Sequence, residues 1–180
     1  MIHGVVLTHL DKKKDQRGAF LEVFSDRWSL PIEPRQWSVV TSRAGTLRGM
    51  HLHARHAEYV LPLHGRVLVG LHDLRPDSPT SGRSMMLELD AQDPTVLVFP
   101  PGVVHGWYFP EDAVHLQAVS EPFSEYASDD NLGCHYGDPE LQLEWPAEPV
   151  WVSERARGFP SLATLREALL VAAVEPPSTE

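Results

Sequence analysis

The middle of the chain alternates between short apolar runs and clusters of turn residues. Trp37–Val40, Tyr59–Leu63, Arg66–Leu71, Met85–Leu89, Thr95–Phe99 and His115–Val119 are rich in β-branched or long apolar side chains. His64-Gly65, Asp77–Gly82, Asp90–Pro94 and Pro100-Pro101-Gly102 punctuate them, so each run reads as a strand bounded by a turn. Many short strands at this spacing predict a sandwich or barrel. One helix is predicted, from Ser161 to Val174, with Leu162, Leu165, Leu169 and Ala172 on one stripe and Ser161 as its N-cap. No linker or repeat interrupts the pattern. Residues 1–175 therefore read as one domain and residues 176–180 as a disordered tail.

Composition narrows the range of partners. A net charge of −10 over 180 residues opposes binding to nucleic acid or to an anionic membrane. A small anionic ligand remains open, because a local group of arginines can hold phosphate oxygens. The single cysteine, Cys134, has no internal disulfide partner, which fits a reducing cytoplasm. No run approaches the ~20 apolar residues of a membrane span. The first residues reach charge too early for a signal peptide.

The sharpest chemistry lies among the ten histidines. Residues 45–65 read GTLRGMHLHARHAEYVLPLHG, which satisfies the first cupin metal motif, G-x5-H-x-H-x4-E-x6-G, through His51, His53 and Glu58. Pro100-Pro101-Gly102-Val103-Val104-His105 fits the P-x-G-x2-H core of the second motif, although Phe109 stands where an Asn is common. On a strand His51 and His53 face the same side. Glu58 would return on the next strand and His105 on a later one. Three imidazoles and a carboxylate suit a divalent first-row transition metal such as Fe, Mn, Ni or Zn. The bland alternative has His51 and His53 bonding a ligand or backbone, Glu58 at a solvent edge, and no ion. His56, His64, His72 and His135 read as loop or surface residues.

Ordered matches along nearly the whole chain resemble the dTDP-4-dehydrorhamnose 3,5-epimerase (dTDP-sugar isomerase) family of the cupin superfamily. They include Asp15–Glu22, Arg48–His51, Asp73–Gly82, Pro100–Trp107 and Gly137–Pro146. The resemblance implies an all-β cupin jelly-roll β-barrel with a short C-terminal helix. It also implies a homodimer built through an N-terminal dimerisation segment, and a dTDP-linked sugar as small-molecule substrate. Arg17, Glu22, Gln36 and Arg48 match positions that hold the nucleotide, and guanidinium forks suit diphosphate oxygens. Phe123 matches an aromatic that stacks near the nucleotide, while Ser38 replaces an Asn.

The departures fall on the chemistry. In the family a His takes the proton next to the sugar ketone, an Asp orients it, a Lys stabilises the enolate and a Tyr returns a proton. His51 matches the base. The Lys, Tyr and Asp positions fall on Glu58, Gln117 and Ala156. A metal held by His53 and Glu58 could take over the Lys role, but His51 cannot be both ligand and free base. His115, which shares a strand face with Gln117, is a second acid–base candidate; a plain wall residue is its alternative reading. Three functions follow: a dTDP-4-keto-6-deoxyhexose epimerase or isomerase, with or without assistance from a metal; a metal-dependent cupin oxygenase, cyclase or lyase; or a non-enzymatic sugar-nucleotide binder.

Overall fold

The computed structural model describes residues 1–126 and 130–174, the last four by backbone alone. The tail expected at 176–180 lies outside the described residues. The strands are β1 (Val6–His9), β2 (Lys13–Asp15), β3 (Gly18–Phe20), β4 (Gln36–Ser42), β5 (Thr46–Leu52), β6 (Glu58–His64), β7 (Arg66–Asp73), β8 (Ser84–Asp90), β9 (Thr95–Phe99), β10 (Val103–Phe109), β11 (Ala113–Val119) and β12 (Leu132–Gly133). The helices are α1 (Phe123–Tyr126), α2 (Glu154–Arg157) and α3 (Leu162–Val174). Every predicted strand is present, most of them a residue or two longer than the apolar run alone.

The strands form two five-stranded antiparallel sheets, ordered β1-β9-β6-β11-β4 and β12-β5-β10-β7-β8, while β2 and β3 make a separate exposed hairpin. The two large sheets face each other. Val60, Leu97, Phe99 and Ala113 from one meet Val67, Val69, Leu71, Trp107 and Phe109 from the other in a shared core.

The expected closed barrel is not what forms. Neither sheet closes on itself, and the architecture is a two-sheet jelly-roll sandwich. The reason lies at β5. Closure at this side would need β4 to pair with β5, but the free edge of β5 is already used. Leu132 and Gly133 of β12 pair with Leu52 and His51, and Trp151 bridges to Thr46. The Leu47 amide donates to the Trp151 carbonyl at 2.9 Å. The C-terminal third of the chain thus occupies the edge, and the gap between β4 and β5 stays open.

Two further apolar layers cover the outer faces. Residues 21–30 lay Leu21, Val23, Phe24, Trp28 and Leu30 over Tyr59, Leu61, Val96 and Val98. On the other side α3 packs Leu162, Leu165 and Leu169 against Met50, Leu52, Leu74 and Val104, which is the predicted stripe; Ala172 lies past the last described side chain. The Ser161 hydroxyl accepts from the Thr164 amide at 3.1 Å, as an N-cap should. His72, read as a loop or surface residue, is instead 2% exposed on β7, with Nδ1 2.8 Å from the Ser84 hydroxyl.

β5 and β10 approach closely where Gly49 sits at φ +126°, and a Cβ there would stand 2.6 Å from Gly106 Cα and 2.8 Å from the His105 carbonyl oxygen. Gly49→Ala is therefore expected to destabilise the fold by about 1–3 kcal/mol through backbone strain and overpacking. Urea denaturation measures this as a lower midpoint with little change in slope.

Candidate active site

Antiparallel pairing sets His105 of β10 opposite His51 of β5. Across the sandwich, β6 begins at Glu58, which lies opposite Val119 of β11. Alternation along β11 brings Gln117 to the same inner face, where its Nε2 donates to Glu58 Oε2 at 2.9 Å. His53 lies just beyond β5, in a loop that returns to β6. Three anchors hold this loop. The Gly102 amide donates to the His53 carbonyl at 2.7 Å. Ala57 and Ser120 exchange bonds of 2.9 and 3.1 Å. The Asp130 carboxylate, 1% exposed, accepts from the amides of Ala54 and Arg55.

Three imidazoles converge on one carboxylate oxygen. His53 Nε2 lies 3.1 Å, His105 Nε2 3.5 Å and His56 Nε2 3.9 Å from Glu58 Oε1. His56 stacks on His53, with centroids 4.1 Å apart, and its Nδ1 lies 3.1 Å from Asp130 Oδ2. Neither nitrogen of His56 meets hydrogen-bond geometry with a described residue. Tyr126 of α1 covers this pair, its ring 4.3 Å from that of His56 and 5.7 Å from that of His53.

Glu58 is 1% exposed. Burial alone would raise its pKa, but His105, His53 and His56 outweigh that and hold it well below the usual carboxylate range. Burial pushes His53 down, yet Glu58 and Asp130 together raise it above its ordinary value. His105 is lowered to about 4, chiefly by burial and against the pull of Glu58. The cluster therefore holds an ionised carboxylate and a neutral His105 at neutral pH, with His53 drawn towards its protonated form by its carboxylate neighbours. His53, Glu58 and His105 place one ligand atom each within 4.8 Å of one another, as do His53, His56 and Asp130. Both groups could hold a metal ion.

His51 stands apart from both groups. Its ring centroid is 6.1 Å from that of His105 and 6.4 Å from that of His53. It faces instead a hollow of about 680 Å³ at the open β4–β5 side, shared with Ser42, Arg43, Arg48, His64 and Ser153. Burial, then His105 and His53, lowers His51 to about 3. Arg48 donates to the Ser42 hydroxyl at 2.9 Å and to the Thr41 carbonyl at 3.0 Å. His115 is 2% exposed between the sheets, stacked on Phe109 at 5.5 Å, with Nδ1 unpartnered among the described residues. Burial first, and Arg48 second, lower its pKa to about 4.

The other predicted residues divide in two. Gln36 and Phe123 meet at the start of β4, where Gln36 Oε1 accepts from the Phe123 amide at 2.9 Å. Arg17 and Glu22 do not reach the hollow within one chain. Arg17 lies on the exposed hairpin turn, bonded to Asp15, and Glu22 lines a separate recess with His9 and Trp28. Ala156, 1% exposed on α2 against β5, offers His51 no carboxylate; Phe159 meets the His51 ring edge-on at 5.8 Å. The reading by spacing missed three neighbours of the cluster: His56, Asp130 and Tyr126. His56 does sit in a loop, and its place five residues after His51 was the one available signal. Asp130 and Tyr126 come from a distant segment and follow no motif.

Over residues 1–164 the chain matches the family of dTDP-4-dehydrorhamnose 3,5-epimerases. It is 34% identical over 181 residues to the dTDP-4-dehydrorhamnose 3,5-epimerase of Streptomyces griseus, covering 94% of this chain and 88% of that protein. Among solved structures it is similar to NovW, a 4-keto-6-deoxy sugar epimerase from the novobiocin gene cluster of Streptomyces spheroides. That similarity has TM-score 0.85, 29% identity and coverage of 94% and 88%. It is also similar to ChmJ, a 3'-monoepimerase from Streptomyces bikiniensis in complex with dTDP-quinovose, with TM-score 0.84, 27% identity and coverage of 94% and 88%. With sequence and fold agreeing along almost the full length, the chain belongs to the dTDP-4-dehydrorhamnose 3,5-epimerase family.

Proposed function

We propose that the protein is an epimerase or isomerase acting on a dTDP-linked 4-keto-6-deoxyhexose by removing a proton next to the ketone. The observation that carries this reading is the shared hollow of His51 and Arg48. It sets an imidazole free of carboxylate partners among the described residues beside a guanidinium suited to a diphosphate. Gln36 and Phe123 supply a polar and an aromatic surface for the nucleotide base. Arg17 and Glu22 project from the N-terminal segment, so their part in substrate binding requires a second copy, and a homodimer follows as part of the same proposal.

Enolisation needs a base and a positive group at the developing oxyanion. His51 serves as base. With Glu58, Gln117 and Ala156 at the three remaining positions, the positive charge is assigned to the buried cluster, either His53, whose pKa is raised by Glu58 and Asp130, or a bound divalent ion (Fe, Mn, Ni or Zn). His115 is the second acid–base group. The alternative, a metal-dependent oxygenase, cyclase or lyase on another small metabolite, draws on the same three departures and on the histidine–carboxylate cluster.

Incubation with a dTDP-4-keto-6-deoxyhexose in deuterium oxide is expected to place deuterium at carbon next to the ketone. His51→Asn should slow this by about 10²–10⁴-fold, the usual share of a general base. Absence of exchange with every such ketosugar tested would sink the reading. Because His51 is lowered to about 3, its lone pair is free throughout the neutral range. The exchange rate should therefore show no protonation step of this base near the ordinary imidazole value of 6.5 in a pH–rate profile.

His115 generates a stability prediction. Its folded pKa of about 4 lies below the ordinary 6.5, so between these values the unfolded chain binds the proton. Its contribution is present at neutral pH and is lost as pH falls from 6.5 towards 4, by up to about 1.4 kcal/mol per pH unit. His115→Gln should flatten that acid-side loss, measured as denaturation midpoints along a pH series.

A further inference from the structure

We infer that the chain carries a divalent-cation site formed by His53, His105 and Glu58, with His51 outside the ligand set. The inference rests on which nitrogens are already engaged. His53 Nδ1 meets the Asp130 backbone carbonyl, and His105 Nδ1 meets the Val103 carbonyl at 3.0 Å. A carbonyl oxygen only accepts, so both Nδ1 atoms carry hydrogen. In the neutral ring each Nε2 is then a lone pair, the state a metal requires.

Both Nε2 lone pairs point at Glu58 Oε1, at 3.1 and 3.5 Å, and a carboxylate oxygen is itself an acceptor. One proton can bridge one nitrogen to that oxygen and leaves the other facing it unpaired. A cation between them satisfies all three at once. Ligand atoms held at about 2.0–2.2 Å from a zinc-like ion stand about 3–3.5 Å apart, the separation of each nitrogen from Oε1 here. Gln117 engages the other carboxylate oxygen, Oε2, at 2.9 Å, and thereby fixes Oε1 towards the two rings. His56, its Nδ1 3.1 Å from Asp130 Oδ2 and its Nε2 3.9 Å from Oε1, stands ready behind His53 as a further donor. Two imidazoles and one carboxylate leave coordination positions that these three side chains do not fill.

The use of the ion rests on the ketosugar reading; its binding does not. An ion on this face can polarise the ketone, the role left empty by Glu58 at the Lys position. His51 keeps its lone pair for the adjacent C–H proton. The C–H electron pair moves to the oxygen as an enolate, and a proton returns to the same carbon, with no net gain or loss.

The test uses tag-free full-length protein, stripped with a chelator and titrated with Co²⁺ and Zn²⁺ in the absence of any sugar nucleotide. One ion per chain should bind, with a visible Co²⁺ spectrum and a rise in melting temperature. His105→Gln and Glu58→Gln should each lose more than the roughly 10–100-fold in affinity typical of outer-shell changes. His51→Asn should keep stoichiometry and affinity. Should Glu58→Gln fail to fold by circular dichroism, His105→Gln and His53→Gln decide. Folded protein that binds neither ion, nor Fe²⁺, Mn²⁺ or Ni²⁺, overturns the site, as does binding that His51→Asn abolishes and His105→Gln spares. Deuterium exchange by ion-free protein removes the ion's role but leaves the epimerase reading intact. An ion-loaded protein without exchange removes the epimerase reading and leaves the site.

Discussion

A carboxylate buried between two sheets dominates the interior of this protein. Glu58 starts β6 with 1% of its surface exposed, where an isolated anion would be costly. Its charge survives because His53, His105, His56 and Gln117 surround it. Those side chains come from three separate parts of the chain. Keeping the anion therefore ties the β5–β6 loop, β10 and β11 to one point.

The same arrangement divides the site. Residues that answer the carboxylate collect on one side, beneath Tyr126. His51 and Arg48 are left on the other, facing the hollow at the open β4–β5 gap. His51, with no carboxylate partner among the described residues, is a weak base that is always available, lowered to about 3. In the proposed reaction such a base would depend on how strongly the ketone is activated. Relatives with similar folds, such as NovW and ChmJ, show that the scaffold serves sugar epimerases.

Much of this was legible in the order of residues. The alternation of apolar runs and Gly/Pro turns gave the strands, because burial of one face imposes a period of two. The Leu162, Leu165 and Leu169 stripe gave α3. The spacing of His51, His53, Glu58 and His105 placed all four in one neighbourhood. It could not separate His51 from the rest, because ring positions depend on the bulge in the β5–β10 pairing and on the chain leaving its strand after Leu52. The expected barrel failed for a similar reason: β12 and Trp151 compete for the edge of β5, and nothing local announces that competition.

The amino-acid sequence by itself determined the strand pattern, the family and the types of group available for chemistry, since each follows from short-range spacing and side-chain identity. The tertiary structure alone decided which nitrogens face the carboxylate, and that Asp130 and Tyr126 join them from 70 or so residues away. It also decided that Arg17 and Glu22 stand outside the hollow of their own chain. Those outcomes depend on long-range packing and on hydrogen-bond competition, which no local pattern encodes.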